Sequence, residues 1–401
     1  MVPGPGCRVA VLSLHTSPAA APGKGASGGL NVYVRELTRA LQAVGVESDV
    51  LVRTGATGAT SAQALDGGGL LIPVPVGPDR DLTPDEERDL VEELTSATAA
   101  AALRTGRRYD VVASHHWMSG MVGLAVARRL GTPLVHTAHT WAVQKNQALA
   151  PGAEPEPAWR ARLEAEIARG ADRILVATPD ERELLAAHYG AGDRCSIVVP
   201  GVDVDAFAPG DGERSDPPFF LVVGRLERLK GVDTAIAAVA GLRHPTARLM
   251  VVGEDGGRRG ELDRLREVAV ELGIRGRVDF VGSLDRDRLA RLYGPAIACL
   301  FPSYSETFGL VALEALASGT PLVTTRAAGV ASVVRDEVSA LLVERDGFGA
   351  AMQRLLDDRA LVRRLGVAGR EVALRHTWRD TARQWLAAVE RAGALEPALH
   401  R

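Results

Sequence analysis

The chain has few cysteines, few lysines and no long apolar run, and each shortage narrows the classes of protein that it can belong to. Its 401 residues include three cysteines, Cys7, Cys195 and Cys299, which lie far apart. Two of them stand in apolar, strand-like runs where a buried free thiol is the usual state, so we expect a reducing, cytoplasmic setting. The sequence contains no apolar stretch of about 18 residues and no signal-peptide pattern. We therefore expect a protein that is neither exported nor membrane-spanning.

Charge and hydrophobicity favour a globular enzyme that acts on small molecules. The formal net charge is −3, with 46% hydrophobic and 24% charged residues, so the chain can bury a large core. No basic stripe alternates with aromatic residues, which argues against a nucleic-acid partner. No amphipathic basic face points to a membrane surface or a lipid acceptor.

Short β-rich runs alternate with helical patterns along the chain, as in RVAVLSL followed later by RELTRALQAVG. This alternation predicts parallel sheets covered by helices. A turn-rich segment at 200–216 interrupts this alternation of strands and helices, which then starts again. The sequence therefore predicts two doubly wound domains with a ligand cleft between them. We place an N-terminal domain at 1–200, a C-terminal domain at 201–376, and a helix at 377–401 that crosses back to the N-terminal domain.

A glycine turn and two cations follow predicted strands. Gly28 and Gly29 precede a helix that starts near Asn31, and backbone amides at such a turn can bind an anion, although the same turn also serves close packing. In the second half, VVGRLERLKG places Arg225 and Lys230 after a strand. Only Lys24, Lys145 and Lys230 are lysines among the 47 basic residues, which hints that a compact positive charge is required at these positions, although chance retention remains open for each of them.

The stretch ETFGLVALE carries two glutamates eight residues apart, Glu306 and Glu314. On an α-helix that spacing places both carboxylates on about the same face. We expect the amides of 307–310 to form a helix N-terminus that can hold a diphosphate, while the two carboxylates accept hydrogen bonds from sugar hydroxyls. The alternative is that Glu306 caps the helix and Glu314 forms a salt bridge.

These motifs resemble a known family. The Glu306-to-Glu314 motif with FGL and ASGTP, together with GRLERLKG and SGGLNVYV, is similar to the retaining glycosyltransferases of family 4, which have the GT-B fold. The resemblance covers almost the whole chain. Within the family, GGLNVYVREL, SHHWMSG, PLVHTAHTWAVQKN and VVPGVDVDAFAPG look closest to the branch that transfers N-acetylglucosamine to inositol phosphate in mycothiol biosynthesis.

The resemblance implies a nucleotide-sugar donor and a set of residues that bind it. Glu314 would bind the ribose hydroxyls, and Glu306 would hold the transferred sugar. Arg225 and Lys230 would neutralise the leaving diphosphate as the glycosidic bond breaks. His139 would contact the sugar near its reacting face, although a histidine at a strand end can also serve only a backbone carbonyl. The residues implied for the donor are Gly29, Arg225, Lys230, Glu306, Phe308, Gly309, Leu310 and Glu314, and those implied for catalysis are Arg225, Lys230, His139 and Glu306.

The resemblance also bears on cofactors and partners. It implies no metal and no cofactor beyond the donor, which we expect to be a UDP-sugar, with a GDP-sugar as the alternative. The two DXD-like strings, at 203–205 and 285–287, are better explained as a linker turn and a helix start. A homodimer is left open.

On the acceptor side the sequence departs from the resembled enzymes. They hold the acceptor phosphate with a lysine, a tyrosine, a threonine and an arginine. Here the tyrosine position is His116, and the lysine position falls near Pro84 in an acidic loop, where the acids can also simply start a helix. The residues implied for the acceptor are Asn31, His116, Thr140, Lys145 and Arg160. The acids of the loop are Asp79, Asp81, Asp85, Glu86 and Glu87.

Three functions follow from this pattern. Because acids disfavour a dianionic acceptor, we expect transfer to a small polar, nitrogen-bearing acceptor, such as an aminocyclitol or a zwitterionic compound, in specialised or antibiotic metabolism. The alternative is the D-inositol 3-phosphate N-acetylglucosaminyltransferase activity of mycothiol biosynthesis. A function of another class is nucleotide-sugar binding without transfer.

Overall fold

The computed structural model describes residues 7–20, 28–65, 68–210, 214–256, 260–326 and 328–393. Lys24 lies outside these ranges, as do residues 394–401 of the predicted C-terminal helix.

The first half of the chain forms an eight-stranded sheet in which β3 is antiparallel to β4 and the other neighbours are parallel. The strands lie in the order β3-β4-β2-β1-β5-β6-β7-β8. They are β1 (Arg8–Leu12), β2 (Glu47–Arg53), β3 (Gln63–Ala64), β4 (Leu70–Val74), β5 (Val111–His115), β6 (Leu134–Thr137), β7 (Arg173–Val176) and β8 (Cys195–Ile197). β5 is buried along its whole length, as expected for a strand with helices on both faces.

The second half forms a six-stranded parallel sheet with the order β11-β10-β9-β12-β13-β14. Its strands are β9 (Phe219–Val223), β10 (Arg248–Val252), β11 (Val278–Gly282), β12 (Ala298–Phe301), β13 (Leu322–Thr325) and β14 (Leu341–Val343). These strands form from short apolar runs of the sequence, such as FFLVV in β9 and LVTT in β13. The GT-B prediction of two doubly wound domains is confirmed.

Helices cover both sheets, and five of the described α-helices begin at a residue whose side chain accepts a hydrogen bond from an amide of the first turn. In α7, for example, Thr178 accepts a hydrogen bond from the Glu181 amide at 3.1 Å, and Pro179 occupies the first helical position. Among the described residues, no helix is both long and apolar enough to cross a membrane. The helices are α1 (Gly29–Gln42), α2 (Pro84–Asp89), α3 (Val91–Arg104), α4 (Trp117–Leu130), α5 (Ala142–Gln147), α6 (Ala158–Gly170), α7 (Pro179–Tyr189), α8 (Val232–Ala240), α9 (Glu261–Glu271), α10 (Arg286–Tyr293), α11 (Leu310–Ala317), α12 (Phe348–Asp357), α13 (Arg359–Leu374) and α14 (Trp378–Arg391).

The last helix, α14, packs on the first sheet. Its Trp385 and Val389 belong to the same buried apolar cluster as Val9 and Val11 of β1. The chain therefore passes between the two halves twice, once after β8 and once before α14.

The two passages lie side by side. The Val202 amide donates to the His376 carbonyl at 2.9 Å, and a Cβ on Gly201 would lie only 2.3 Å from the Trp378 nitrogen. Only glycine fits at position 201 without a shift of the backbone.

Both sheets are wound in the same way around a central pair of strands. The chain starts in the middle of each sheet, at β1 or β9, winds to one edge, and then continues on the other side with β5 or β12. The carboxyl ends of these central strands form the switch points at which ligands bind in open α/β sheets.

Candidate active site

A cavity of about 500 Å³ lies between the two sheets and is lined by residues of both. His15, His116 and His139 follow β1, β5 and β6, while Arg225 and Glu306 follow β9 and β12. Polar side chains thus converge from the switch points of both domains. The volume is within the range of small-molecule sites.

The glycine turn at the start of α1 faces the second domain across this cavity. Gly28 lies so close to Arg225 that an added Cβ would be 3.2 Å from Nε, and a Cβ on Gly29 would lie 3.9 Å from a methyl of Leu310. Because the first amides of a helix lack intrahelical acceptors, the turn can offer donors to an anion. Gly29 therefore lines the cavity close to a predicted cation.

Arg225 and Lys230 line the cavity, and each is paired with a carboxylate. Arg225 Nη1 lies 2.7 Å from Glu227 Oε1, and Lys230 Nζ contacts the Glu306 carboxylate directly. An anionic ligand must therefore compete with Glu306 for the Lys230 ammonium. Once displaced, Glu306 is free to accept hydrogen bonds from hydroxyl groups.

The N-terminus of α11 is fixed by a glycine. Gly309 has a φ of 104°, and a Cβ there would lie 2.5 Å from the ring of Phe301. Glycine is required at this position both for the backbone and for the space. The amides of Phe308, Gly309 and Leu310 lie at the N-terminus of the helix, on the cavity wall.

The two glutamates of the same motif both line the cavity, but not as neighbours on one helix. Because α11 begins only at Leu310, Glu306 lies in the preceding loop and Glu314 in the second turn. The prediction of a shared helical face is therefore wrong. The loop conformation, not the spacing, brings the two carboxylates to one cavity.

The carboxyl group of Glu314 lies at the cavity wall and is only partly accessible to solvent. Tyr293 Oη donates to its Oε2 at 2.9 Å. Burial raises the pKa of Glu314 to about 7, against the opposing effects of the Tyr293 hydrogen bond and of Arg286. At neutral pH this carboxyl group is divided between its two protonation states, as is common at functional sites.

His139 is held in an unusual backbone conformation at the interface of the domains. Its φ is 63°, and its carbonyl accepts a hydrogen bond from Thr307 Oγ1 at 2.5 Å across the cleft. Its Nε2 lies 3.0 Å from His115 Nδ1. Burial lowers the pKa of His139 well below its usual value, so the ring is neutral at pH 7.

Four charged residues of the first domain form one ion-pair cluster at and behind one wall of the cavity. Arg160 Nη1 lies 2.8 Å from Glu156 Oε2, and Lys145 Nζ lies 2.7 Å from the other oxygen of Glu156. Arg160 Nε also donates to Glu164 at 2.9 Å, and its Nη2 donates to Thr140 Oγ1 at 3.2 Å. The predicted acceptor residues Thr140, Lys145 and Arg160 are thus brought together, with their charges already balanced.

Asn31 does not lie at the cavity surface, where contact with the acceptor was predicted. Its Nδ2 donates to Thr16 Oγ1 at 2.8 Å and to the Ser17 carbonyl, and its Oδ1 accepts from the Gly28 amide at 3.0 Å. The side chain is fully buried. In this structure Asn31 therefore supports the glycine turn.

His116 forms a second cluster with two residues that line the same cavity. Its ring stacks on that of His15, with the centroids 4.0 Å apart. His15 Nδ1 contacts the carboxylate of Glu87, which is buried. His15 was not predicted as a site residue, although it follows β1 as the other site residues follow their strands.

Two of the other four acids, Asp85 and Glu86, lie in α2 and have structural partners. Glu86 caps the first turn of α2 and pairs with Arg80 at 2.6 Å, and Asp85 pairs with Arg88 at 2.9 Å. Of the five acids, Glu87 is the one that lines the cavity. The acidic potential predicted from the whole loop is therefore reduced to a single carboxylate, and the helix-start explanation is correct for Asp85 and Glu86.

One further group of charged residues links the two halves beside Glu314. Arg286 Nη2 lies 2.9 Å from Asp203 Oδ2, and its Nη1 lies 3.5 Å from Glu36 Oε1 of α1. Sequence analysis missed this group. Its one signal was Glu36, a carboxylate on the buried face of an otherwise apolar helix pattern.

Two doubly wound sheets that meet at a cleft lined by the carboxyl ends of their central strands form the architecture of the GT-B glycosyltransferases. Comparison of the sequence with models of known protein families agrees with this assignment. Residues 27–206 match the family described as Glycosyltransferase Family 4, and residues 203–372 match that described as Glycosyl transferases group 1.

Full-length relatives narrow the assignment. A D-inositol 3-phosphate glycosyltransferase of Acidothermus cellulolyticus is 42% identical over 399 residues, covering 93% of this chain and 88% of that protein. The protein of the same name from Frankia alni is 40% identical, covering 96% of this chain and 99% of that protein. The chain therefore belongs to family 4 of the glycosyltransferases and is a transferase.

Solved structures show the same fold. The sucrose-phosphate synthase of Thermosynechococcus elongatus superposes with a TM-score of 0.86 at 31% identity, over 97% of this chain and 99% of that one. Anabaena HepE, solved with UDP and glucose, gives a TM-score of 0.72 at 18% identity, over 96% and 100% of the two chains. At the lower identity the likeness concerns the fold alone.

Proposed function

We propose that this glycosyltransferase transfers a sugar from a UDP-sugar to D-inositol 3-phosphate and retains the anomeric configuration. The observation that carries the proposal is a set of relatives, 38–42% identical over nearly the whole chain, that bear the name D-inositol 3-phosphate glycosyltransferase. The acceptor favoured from the sequence, a nitrogen-bearing compound without phosphate, has no such support. D-inositol 3-phosphate, the alternative acceptor that the family resemblance implied, agrees with the names of these relatives and replaces the nitrogen-bearing compound in our proposal.

The donor half of the proposal rests on the second domain. The α11 N-terminus, Arg225 and Lys230 lie where a diphosphate would find amide donors and positive charge, and Glu314 lies where a ribose would find an acceptor. UDP is the favoured nucleotide of the donor because HepE and another GT-B neighbour were solved with UDP or a UDP-sugar, although a plant starch synthase was solved with ADP.

In the reaction, negative charge grows on the departing diphosphate. Arg225, Lys230 and the amide of Gly29 stabilise that charge without further reorganisation, which is the main catalytic contribution of these residues. His139, neutral and held by His115, can accept or donate a hydrogen bond at the sugar but adds no charge. The acceptor oxygen attacks C1 of the sugar from the side that the diphosphate leaves, so the bond from C1 to the diphosphate breaks as the new glycosidic bond forms, and the hydroxyl proton passes to the departing diphosphate.

The acceptor half of the proposal rests on the first domain. Thr140, Lys145 and Arg160 present a hydroxyl group and two cations at one wall of the cavity, a donor set that suits a phosphate. The acceptor phosphate would replace Glu156 as the partner of Lys145, as the donor phosphate would replace Glu306 at Lys230.

One observation favours a second acceptor. Glu87 adds a buried carboxylate to a wall whose cations are already paired, and a unit charge about 4 Å away near a surface contributes roughly 4 kcal/mol before desolvation. An ammonium group on the acceptor would use that attraction. A free aminocyclitol is therefore the second candidate.

A competition assay tests both candidates. The purified enzyme receives a panel of UDP-, GDP- and ADP-sugars with equal concentrations of D-inositol 3-phosphate, free inositol and an aminocyclitol, and the products are quantified by mass spectrometry. We expect the phosphorylated acceptor to be consumed first. Preferential glycosylation of the aminocyclitol would select the second candidate. If neither D-inositol 3-phosphate nor the aminocyclitol is glycosylated, both candidates are refuted.

A further inference from the structure

Three metal-ligating side chains meet at the acceptor end of the cavity. The ligand atoms of His15, Glu87 and His116 all lie within 4.8 Å of one another, and within the described ranges this is the one group of its kind. The three residues come from the β1–α1 loop, from α2 and from the residue before α4. The fold, not local sequence, therefore brings them together.

His116 provides a second, independent observation. Its side chain is more than nine-tenths buried, and its Nδ1 has no hydrogen-bond partner in the protein. Its backbone has a φ of 75°, a conformation that non-glycine residues rarely adopt. A buried nitrogen without a partner costs stability unless a ligand uses it.

The charges along this wall show what such a ligand would do. Arg160 and Lys145 are already paired with Glu156 and Glu164, so Glu87 makes the wall net negative. The proposed phosphate acceptor needs positive charge here. A divalent cation bound beside Glu87 would change the local charge from −1 to +1.

We propose that His15, Glu87 and His116 bind a divalent transition metal such as Zn²⁺, and that its remaining coordination position holds the phosphate of the acceptor. Two imidazoles and one carboxylate are a donor set for zinc sites that keep a position open. Bonds of about 2.0–2.2 Å would draw the ligand atoms closer together, and His15, which is only partly buried, is the side chain that can move.

This inference rests on the proposed acceptor, because the metal would take the place of the lysine that the resembled enzymes use. That position falls near Pro84 here, and Pro84 lines the same cavity. Sites built from oxygen ligands alone suit magnesium or calcium. A site with two histidine ligands instead selects zinc, cobalt or nickel over magnesium.

Cobalt is a direct probe of the site, because its visible absorption reports coordination without any enzymatic turnover. The metal-free full-length protein is titrated with Co²⁺, and we expect one equivalent to bind with a visible band. Glu87→Gln, which keeps the size of the side chain, and His116→Tyr should each weaken Co²⁺ binding by about 100-fold or more, since even outer-shell losses cost 10- to 100-fold. The exposed Glu93 and His188 supply matched controls, and Glu93→Gln and His188→Tyr should bind as the wild type does.

The phosphate step has its own readout. Adding D-inositol 3-phosphate or inorganic phosphate to the Co²⁺-loaded protein should shift the visible band in the wild type, whereas free inositol should not. Absence of Co²⁺ binding, or binding that survives both Glu87→Gln and His116→Tyr, would overturn the site. An unchanged band with phosphate would overturn the role of the metal at the acceptor. If the metal binds and responds to phosphate but no sugar is transferred to D-inositol 3-phosphate, the proposed function fails while the site stands.

Discussion

Replacing Glu314 with glutamine separates the charge of this side chain from its shape. Glu314→Gln keeps the size of the side chain and an oxygen that can accept the Tyr293 hydrogen bond, but it removes the ability to ionise. Burial raises the pKa of the wild-type carboxyl group to about 7. If the ionised form accepts hydrogen bonds from the ribose hydroxyls, wild-type affinity for UDP should rise with pH through that value.

The expected magnitudes follow from the pKa and from the strength of charge-assisted hydrogen bonds. Between pH 8 and pH 6 the ionised fraction of a group with this pKa falls about tenfold, so UDP binding should weaken about tenfold, or ~1.4 kcal/mol. At pH 8 the variant should lose roughly 1.5–3 kcal/mol of UDP affinity, which is about 10- to 150-fold.

Stability should change in the opposite direction. A carboxyl group whose folded pKa is raised above its unfolded value, about 4.3, stabilises the fold while it is protonated, and that contribution is lost as the pH rises through 7. Glutamine cannot ionise, so Glu314→Gln should melt at a higher temperature than the wild type at pH 8. The difference should shrink as the pH falls towards 5.

Calorimetric titration with UDP at pH 6, 7 and 8, together with thermal melting at the same pH values, measures both effects. The phosphate of UDP also titrates near pH 6, so the variant shows the slope that belongs to the ligand alone. Glu271→Gln, at an exposed position of α9, is the matched control and should leave both measurements unchanged. Equal pH slopes for the wild type and Glu314→Gln would refute the assignment of Glu314 to the ribose.

Other variants test the remaining parts of the site. Arg225→Ala and Lys230→Ala should lower kcat more than they weaken donor binding, because in the proposed reaction both cations face negative charge that grows in the transition state. Steady-state kinetics checks this, and a change in KM alone would make them ground-state binders. His139→Asn, which suits the left-handed backbone, should lower kcat while UDP affinity stays constant in calorimetry, and an equal loss of UDP affinity would place the ring at the nucleotide. NMR of the product should show the anomer of the donor, and an inverted anomer would contradict retention. Arg286→Ala should loosen the link between the two halves and enlarge the radius of gyration in X-ray scattering without UDP, whereas an unchanged radius would show that the ion pairs do not set the interdomain arrangement.

The fold could be predicted from sequence because each central strand is a continuous apolar run that ends in a polar or glycine-rich turn. In such sheets the end of a buried strand is also the place where ligands bind, so Arg225 and Glu306 could be found as residues that follow strands, whereas His139 was assigned through the resemblance to family 4. The start of α11 could not be found in this way. It depends on the positive φ of Gly309 and on its contact with Phe301, which no periodic pattern contains.

Contacts between residues far apart in the chain could not be predicted from the sequence. The contact of Arg286 with Glu36 joins residues 250 positions apart, and the cluster of His15, Glu87 and His116 needs three separate connections to meet. The predicted contact of Asn31 with the acceptor was wrong for a different reason. A short polar side chain at a helix start can serve its own loop as readily as a ligand, and only the hydrogen-bond partners distinguish the two uses.

The return of α14 to the first sheet bears on how the protein is made. On the ribosome the first sheet emerges before the second, but the apolar face formed by β1 and α1 is covered only when Trp378, Trp385 and their neighbours in α14 have also been made. During that interval the nascent N-terminal half exposes an apolar surface to which chaperones or other unfinished chains can bind. The first half of the chain therefore reaches its final packing only after the second half has been made.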